Sequence, residues 1–185
     1  MQSEELKIPK ERIAVLIGKK GESKRLIEKK AKAKIDVDSK AGDVIMTGED
    51  PISLFVTKHV VQAIGRGFSP EKALMLFDES YTFEIVDVTE FTGKSKKKME
   101  RMRGRVIGEK GKSRNMIENL TDTYVSVYGK TVGIIGYYEN AAIARGAVEM
   151  LLSGSPHGNV YRWLEDKRRE LQKRQFEENA IKADI

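Results

Sequence analysis

The sequence has 185 residues, with 34 lysines and arginines, 28 aspartates and glutamates and a formal net charge of +6, which suits one or two small domains. It contains no cysteine and only two histidines, His59 and His157, so disulfides, thiolate metal sites, cysteine nucleophiles and multi-histidine metal centres are excluded. No apolar run reaches the roughly 20 residues that cross a membrane, and the polar start MQSEELK is not a signal peptide, so we expect a soluble, cytoplasmic protein.

The first 68 residues are predicted to form an α+β unit with three strands and three helices. Pro9 stands just ahead of the first helix, and the alternation of Ile35 and Val37 with aspartates is typical of a half-buried strand. In chain order the predicted elements are a strand at 4–8, helices at 11–17 and about 22–33, strands at 35–37 and 44–46, and a helix from Pro51 to about Gly65.

Residues 69–79 are predicted to form a short helical linker. Ser69 suits the N-cap and Pro70 the first position of a helix. Apolar residues such as Leu74 and Leu76 make this segment too hydrophobic for a free tether. We therefore expect it to pack between the two halves of the chain.

Residues 80–154 are predicted to repeat the order of the first unit, and residues 155–185 to add a charged helix. The predicted elements are a strand around 83–88, an insertion at 89–98, a helix from about Ser95, a helix at 112–120, strands at 124–127 and 131–135, a helix at 140–152 and a last helix from about 160 to 179. The last helix has a sparse apolar stripe, which allows docking on the second unit or contact with a protein or RNA.

The two units contain the same motif 90 residues apart. The first reads L-I-G-K-K-G from Leu16, and the second reads V-I-G-E-K-G from Val106. Apolar positions after the glycines correspond as well, in the pairs Ile27 and Ile117, and Ile35 and Val125. Two homologous domains account for this better than chance.

The positive charge is concentrated around these two motifs. Residues 7–34 and residues 94–114 each carry a net +8, whereas the rest of the chain carries a net −10. Because like charges packed together repel, each segment calls for an anionic partner, of which the polyphosphate backbone of a nucleic acid is the usual one. An anionic membrane fits less well, because neither segment has an apolar face rich in Trp, Phe or Leu.

The two copies resemble KH (K-homology) domains on the strength of L-I-G-K-K-G with Ile27 and Ile35, and of V-I-G-E-K-G with Ile117 and Val125. The order of elements is that of the type I KH fold, so we expect an α+β protein with two β-α-α-β-β-α domains, each with a three-stranded sheet and three helices, plus a C-terminal helix. More narrowly, the second copy is similar to the second KH domain of archaeal ribosome-assembly proteins, which are themselves similar to the eukaryotic partner-of-Nob family.

The G-x-x-G loops are suited to hold phosphates, because glycine has no Cβ in the way and the next helix presents free amides and its positive dipole end. A KH domain clamps about four nucleotides of a single strand in this manner. Glu109 would repel a phosphate, but arginines upstream compensate, and we expect the second copy to make the more specific contact. The candidate RNA-binding residues are Gly18, Lys19, Lys20, Gly21, Lys24, Arg25, Lys97, Arg101, Arg103, Arg105, Ile107, Gly108, Glu109, Lys110, Gly111, Lys112 and Arg114.

A phosphate-binding loop of the Walker A type is excluded by spacing. Gly-Lys-Ser occurs at 93–95 and at 111–113, but the glycine required five positions earlier is replaced by Val88 and Val106. No catalytic constellation remains, so we expect no enzymatic activity, no metal and no cofactor.

The resemblance implies a protein that binds single-stranded RNA, specifically small-subunit ribosomal RNA near its 3′ end, in ribosome assembly and pre-rRNA processing. It also implies a Nob-type endonuclease or another ribosome-associated protein as a partner. Two alternatives stay open from the residues alone. One is a KH-domain adaptor in messenger or exosome-linked RNA turnover, and the other is a protein-interaction scaffold whose KH folds no longer bind RNA.

Overall fold

The computed structural model describes residues 2–183, so residue 1 of the predicted first domain and residues 184–185 of the predicted last helix lie outside the described residues. The first unit consists of β1 (Gln2–Lys7), α1 (Lys10–Ile17), α2 (Glu22–Ala31), β2 (Lys34–Val37), β3 (Asp43–Gly48) and α3 (Pro51–Gly65). The linker consists of α4 (Pro70–Ala73) and a 3₁₀ turn (Leu74–Phe77), with the Ser69 side chain accepting a hydrogen bond from the amide of Lys72 as the predicted N-cap.

The second unit has the same order with one addition. It consists of β4 (Tyr81–Asp87), the additional α5 (Thr89–Thr92), α6 (Lys96–Ile107), α7 (Lys112–Thr121), β5 (Tyr124–Tyr128), β6 (Thr131–Tyr137) and α8 (Tyr138–Leu152), followed by the long α9 (His157–Ala183). The predicted α+β fold of two β-α-α-β-β-α units and a C-terminal helix is confirmed.

Both sheets are antiparallel and have their last strand in the middle, in the orders β1-β3-β2 and β4-β6-β5. On β3, the fully buried Val44 and Met46 alternate with Ile45, which is exposed on the opposite face. This alternation is what a strand with one buried face requires.

The element boundaries differ from the predicted ones where the backbone conformation is special. Lys32 and Asp122 take left-handed conformations, with φ of 48° and 50°, and they end α2 and α7 directly after Ala31 and Thr121. The predicted insertion at 89–98 contains a helix of its own, α5, and α6 begins at Lys96 with Ser95 as its N-cap.

Each unit has its own apolar core between its sheet and its helices. In the first unit Leu16, Ile27 and Ile35 are fully buried, and in the second unit Val106 and Ile117 are fully buried in the same way. The apolar residues that correspond in the repeat are therefore core residues of two similar folds.

The two units are joined by packing of the first unit and the linker against the outer face of the second sheet. Phe68 packs edge-on against Phe83, with ring centroids 6.0 Å apart. The Ser126 hydroxyl donates to the carbonyl of Arg66 at 2.9 Å, and Ile135 is buried in the core of the first unit. The linker packs on α3 and β4, as its apolar residues predicted.

Helix α9 docks on α7 and α8 of the second unit. Val160 and Leu164 are fully buried there, and the ring of Trp163 lies against Gly146. This is one of the two roles that the apolar stripe allowed. Over residues 2–183, no helix combines the length and the apolar character needed to cross a membrane.

Candidate nucleic-acid interface

The two G-x-x-G loops have the same backbone conformation. Gly18 and Gly108 both have φ of 73°, with ψ of 176° and 173°, and each begins a single 3₁₀ turn that ends at Gly21 or Gly111. Those second glycines are left-handed, with φ of 78° and 80°. Sequences that differ in their central residues thus fold into one and the same loop.

The first glycine of each loop is required by the close approach of the next helix. A Cβ on Gly108 would lie 2.6 Å from the backbone nitrogen of Ser113, and a Cβ on Gly18 would collide with Ser23. The second glycines are different, because the space beside Gly111 is nearly empty. An incoming group can therefore approach the backbone closely at the second glycine.

Helices α2 and α7 begin directly after the loops, and no side chain caps their N-termini. The first amide of each helix donates within the loop, from Glu22 to the carbonyl of Lys19 and from Lys112 to that of Glu109. What favours an anion here is therefore the positive end of the helix dipole. The four central residues, Lys19, Lys20, Glu109 and Lys110, are all exposed. Each loop can hold a phosphate at the N-terminus of its helix with a lysine beside it.

A further cationic side chain lies in the first turn of each helix, Lys24 in α2 and Arg114 in α7. Lys24 lies 3.7 Å from the carboxylate of Glu28, and Arg114 lies 3.9 Å from that of Glu118. The same carboxylates accept hydrogen bonds from the amides of the second residues of β2 and β5, Ile35 at 2.8 Å and Val125 at 2.7 Å. Each glutamate thus ties its helix to the neighbouring edge strand, a role that the sequence does not reveal.

The basic residues of α6 divide into two groups. Lys97 and Arg101 are exposed, and so are Lys112 and Arg25 near the loops. Arg105, a candidate RNA-binding residue from the sequence, instead donates to the carbonyls of Leu151 at 3.1 Å and Ser155 at 2.5 Å. Its guanidinium is thus engaged within the chain and holds the end of α8.

Arg103 and Ile107 lie half-buried on α6. The Nε atom of Arg103 is buried without a hydrogen-bond partner. Ile107 directly precedes the loop, whereas Ile117 and Val125 are core residues. Of these apolar residues, only Ile107 keeps enough exposure to contact a base.

A depression of about 440 Å³ lies beside the second loop. Arg101, Gly108 and Lys112 line it together with His157 and Tyr161 from α9. The His157 ring nitrogen is 2.8 Å from the carbonyl of Arg105. No local sequence pattern links these two α9 residues to the loop, because α9 begins about 50 residues further along the chain.

Two family models match the chain. The model of the KH domain matches residues 3–65, and a model of the eukaryotic type KH-domain, of KH type I and named for the second domain of PNO1, matches residues 82–169. The fold and the paired loops thus define a protein with two tandem type I KH domains.

Proteins of known sequence and structure narrow this class. KH domain-containing protein MJ0443 of Methanocaldococcus jannaschii is 45% identical over 97% of this chain and 80% of its own length. Dim2p of Pyrococcus horikoshii has a crystal structure with a TM-score of 0.83 and 49% identity, covering 90% of this chain and 99% of that one. The chain belongs to the family of two-KH-domain proteins that includes MJ0443 and Dim2p.

Two further similarities concern RNA. A chain in the crystal structure of the a/eIF2alpha–aDim2p–rRNA complex from Pyrococcus horikoshii has a TM-score of 0.84 and 48% identity, covering 91% of this chain and 95% of that one. Pre-rRNA-processing protein pno1 of Schizosaccharomyces pombe is 37% identical over 61% of this chain, and the match spans about half of that protein, 47% of its length.

Proposed function

We propose that this protein binds single-stranded small-subunit ribosomal RNA near its 3′ end and acts in ribosome assembly and pre-rRNA processing. The observation that carries the proposal is the duplicated G-x-x-G loop, with one backbone geometry in both copies, each before an uncapped helix and each inside a basic segment. Helix N-termini, nearby lysines and glycines that allow close approach are the features that hold phosphates.

The names of the relatives support the class of RNA. The similar pno1 protein is named for pre-rRNA processing, and the similar Dim2p chain was crystallised in a complex with rRNA. We propose that the present chain shares this target. It works as an RNA-binding factor in the cytoplasm rather than as an enzyme. A Nob-type endonuclease acts as its partner and cleaves the pre-rRNA.

The proposed RNA contacts follow from exposure at the two loops. On the second domain the RNA strand runs along Lys97, Arg101, Ile107 and the loop. Arg105 does not contact the RNA but holds α6 against the end of α8. The remaining proposed contacts are Gly18, Lys19, Lys20, Gly21, Lys24, Arg25, Arg103, Gly108, Glu109, Lys110, Gly111, Lys112 and Arg114. The second domain is the more specific because it has the arginines, which can bind phosphate bidentately or stack on a base.

We propose the division into domains that the repeat predicts, with a first KH domain at 1–68, a linker at 69–79, a second KH domain at 80–154 and a C-terminal helix at 155–185. The separate cores of the two units support it.

The proposal is tested by measuring the binding of the full chain to short fluorescent RNAs across a range of salt concentrations. One RNA has the 3′-terminal sequence of small-subunit rRNA, a second has the same bases in scrambled order, and a third is the first RNA paired in a duplex. We expect the first to bind most tightly and its affinity to fall steeply with salt.

Equal affinity for the native and scrambled strands would contradict the ribosomal target and favour the adaptor of messenger RNA turnover. Absence of salt-dependent binding to any single strand would contradict RNA binding and favour the scaffold. Sequencing of RNA cross-linked to the protein in cells provides an independent check, because enrichment outside small-subunit rRNA would also overturn the proposed target.

A further inference from the structure

The third helices of the two domains, α3 and α8, are structurally equivalent. Both contain 15 residues, and a shift of 87 residues brings the buried positions of one onto buried positions of the other. The corresponding buried pairs are Leu54 and Ala141, Val60 and Ala147, Val61 and Val148, and Ile64 and Leu151. Any surface on α8 therefore has a definable counterpart on α3.

The same shift continues into the segments that follow the two helices. Ala73 of the linker corresponds to Val160 of α9, and both are fully buried. Phe77 corresponds to Leu164, and both pack against the core of their own domain. The linker is thus the counterpart of the first turns of α9, and each packs on the second and third helices of its domain.

The two segments then diverge. After Phe77 the chain turns into β4, whereas α9 continues across α7 and α8. Arg168 donates to the carbonyl of Asn119 at 3.2 Å, and Arg174 lies 3.2 Å from the carboxylate of Glu139. The later turns of α9 thus cover a surface of the second domain whose counterpart on the first is left uncovered by residues 2–183.

That uncovered surface, the α2–α3 face, has large exposed apolar side chains. Ile52, the counterpart of Glu139, is 74% exposed, and Phe55 is 58% exposed. The ring of Phe55 packs edge-on against His59, with centroids 4.4 Å apart, and positions 52, 55 and 59 lie on one side of α3. Apolar groups at this spacing on a helix are the usual floor of a groove that accepts another helix.

The charge beside the α2–α3 face is positive on the α2 side, whereas Glu49 and Asp50 lie at the start of α3 next to Ile52. Lys29, which corresponds to Asn119 in the 90-residue repeat, is exposed, and so is Lys30 next to it in the last turn of α2. On the second domain Arg168 of α9 lies against Asn119. A helix bound at the equivalent place on the first domain would have Lys29 and Lys30 opposite that position. On the second domain Arg174 of α9 faces Glu139, and the bound helix would have Ile52 opposite that position.

We infer that the α2–α3 face binds an amphipathic helix of another protein, with its apolar side toward Ile52 and Phe55 and acidic residues toward Lys29 and Lys30. The helix takes the place on the first domain that the later turns of α9 occupy on the second. A second copy of α9 is a poor match, because its two arginines would face lysines and an isoleucine.

The inference is tested on the full chain with two synthetic helical peptides. Both have leucines at positions i, i+3, i+4 and i+7, but one has glutamates and the other has lysines on its flanks. Amide NMR shifts map the binding site, with the variants Ile52→Ser and Phe55→Ser and with Phe176→Ser as the matched control, because Phe176 is an equally large, exposed side chain far along α9.

We expect the acidic peptide to shift the amides of α2 and α3, and its affinity to fall about tenfold or more in Phe55→Ser, as for an interface hot spot. The lysine peptide should bind much more weakly, and Phe176→Ser should bind like the unchanged chain. Because the RNA loops are untouched, RNA affinity should stay the same in all variants.

Several results would overturn the inference. These are shifts outside the α2–α3 face, equal binding of the two peptides, or self-association of the chain through this face in sedimentation. Loss of RNA affinity in Phe55→Ser would instead assign the face to RNA. A photo-reactive amino acid at position 55 gives the test in cells, where the cross-linked segment must be an acidic amphipathic helix and not RNA or this chain itself.

Discussion

Arg12 and Arg105 lie at different positions of the repeat, yet their guanidinium groups bind corresponding carbonyl oxygens. Each lies on the first long helix of its domain and donates two hydrogen bonds to the C-terminal end of the third. The bonds run from Arg12 to the carbonyls of Ile64 at 2.8 Å and Phe68 at 2.6 Å, and from Arg105 to those of Leu151 at 3.1 Å and Ser155 at 2.5 Å. In both domains the arginine thus ties a carbonyl of the last helical turn, which also accepts the amide of Gly67 or Gly154, to a carbonyl three residues beyond the helix.

Replacing Arg105 by alanine should therefore destabilise the protein without removing an RNA contact. We expect the free energy of unfolding to fall by about 1–3 kcal/mol, because the carbonyl of Ser155 loses its arginine donor and that of Leu151 is left with backbone donors such as the amide of Gly154. Arg101→Ala is the matched control one turn away. Arg101 is exposed, so that variant should keep its stability and lose RNA affinity. Urea unfolding and RNA titration of both variants check the prediction, and the reverse assignment of the two losses would contradict it.

Charge reversal at the equivalent lysines Lys20 and Lys110 should weaken RNA binding unequally. Lys20 and Lys110 have the same left-handed conformation, with φ of 52° and 51°, which aspartate tolerates better than most residues. We expect Lys110→Asp to reduce RNA affinity more than Lys20→Asp. We also expect it to make the negative slope of log affinity against log salt concentration less steep by about 1. Glu109→Gln should raise the affinity, because it removes a repulsive charge.

These substitutions are preferable to changes at the loop glycines. A side chain at Gly108 would displace the backbone of Ser113, so a loss of binding there would not separate contact from misfolding. Circular dichroism of the lysine variants provides the control, since an altered spectrum would mean that the loop itself had changed. Equal losses in Lys20→Asp and Lys110→Asp would contradict the greater importance of the second domain.

The contact between the domains should depend on pH through Glu11. The Tyr128 hydroxyl donates a hydrogen bond to its carboxylate, which lowers the pKa of Glu11 below its ordinary value. A lowered pKa means that the stabilisation is present above the ordinary pKa of a glutamate and is lost as the pH falls through the folded-state value. In Tyr128→Phe, carboxyl NMR should show the pKa of Glu11 moving upward.

Burial and, secondarily, the Glu11 hydrogen bond raise the pKa of Tyr128, so Glu11→Gln should lower the pKa of that tyrosine. Tyrosinate absorbance checks this second half of the pair. An unchanged Glu11 pKa in Tyr128→Phe would show that this hydrogen bond does not form in solution.

Much of the fold could be predicted because the sequence contains it twice. Apolar periodicity and the two G-x-x-G motifs locate the strands and helices, and residues such as Ile27 and Ile117 are buried as expected. The ends of α2 and α7 could not be predicted, because Lys32 and Asp122 adopt a left-handed conformation that their residue types alone do not predict. That choice depends on how the next strand packs.

The candidate site was predictable only where it is local. The loops and the exposed lysines follow from the motif and the charge. The hydrogen bonds of Arg105 could not be predicted, because the accepting residues lie 46 and 50 positions away. The acceptors are backbone carbonyls, which every residue has, so no residue type indicates them. The same distance hides Tyr161, which reaches the second loop only because α9 folds back over its domain.

Two glycine substitutions should show how closely α9 packs on the second domain. A Cβ at Gly146 would lie 2.9 Å from the Trp163 ring, whereas nothing lies within 4 Å of a Cβ at Gly158. Gly146→Ala forces the two helices apart and should cost about 1–3 kcal/mol, with a shift in the fluorescence of Trp163, the only tryptophan. Gly158→Ala should stabilise the protein by about 0.4–1 kcal/mol, because alanine narrows the unfolded ensemble without strain in a helix. Thermal unfolding monitored by that fluorescence compares the two directly, and equal stabilities would contradict tight packing of α9 at Gly146.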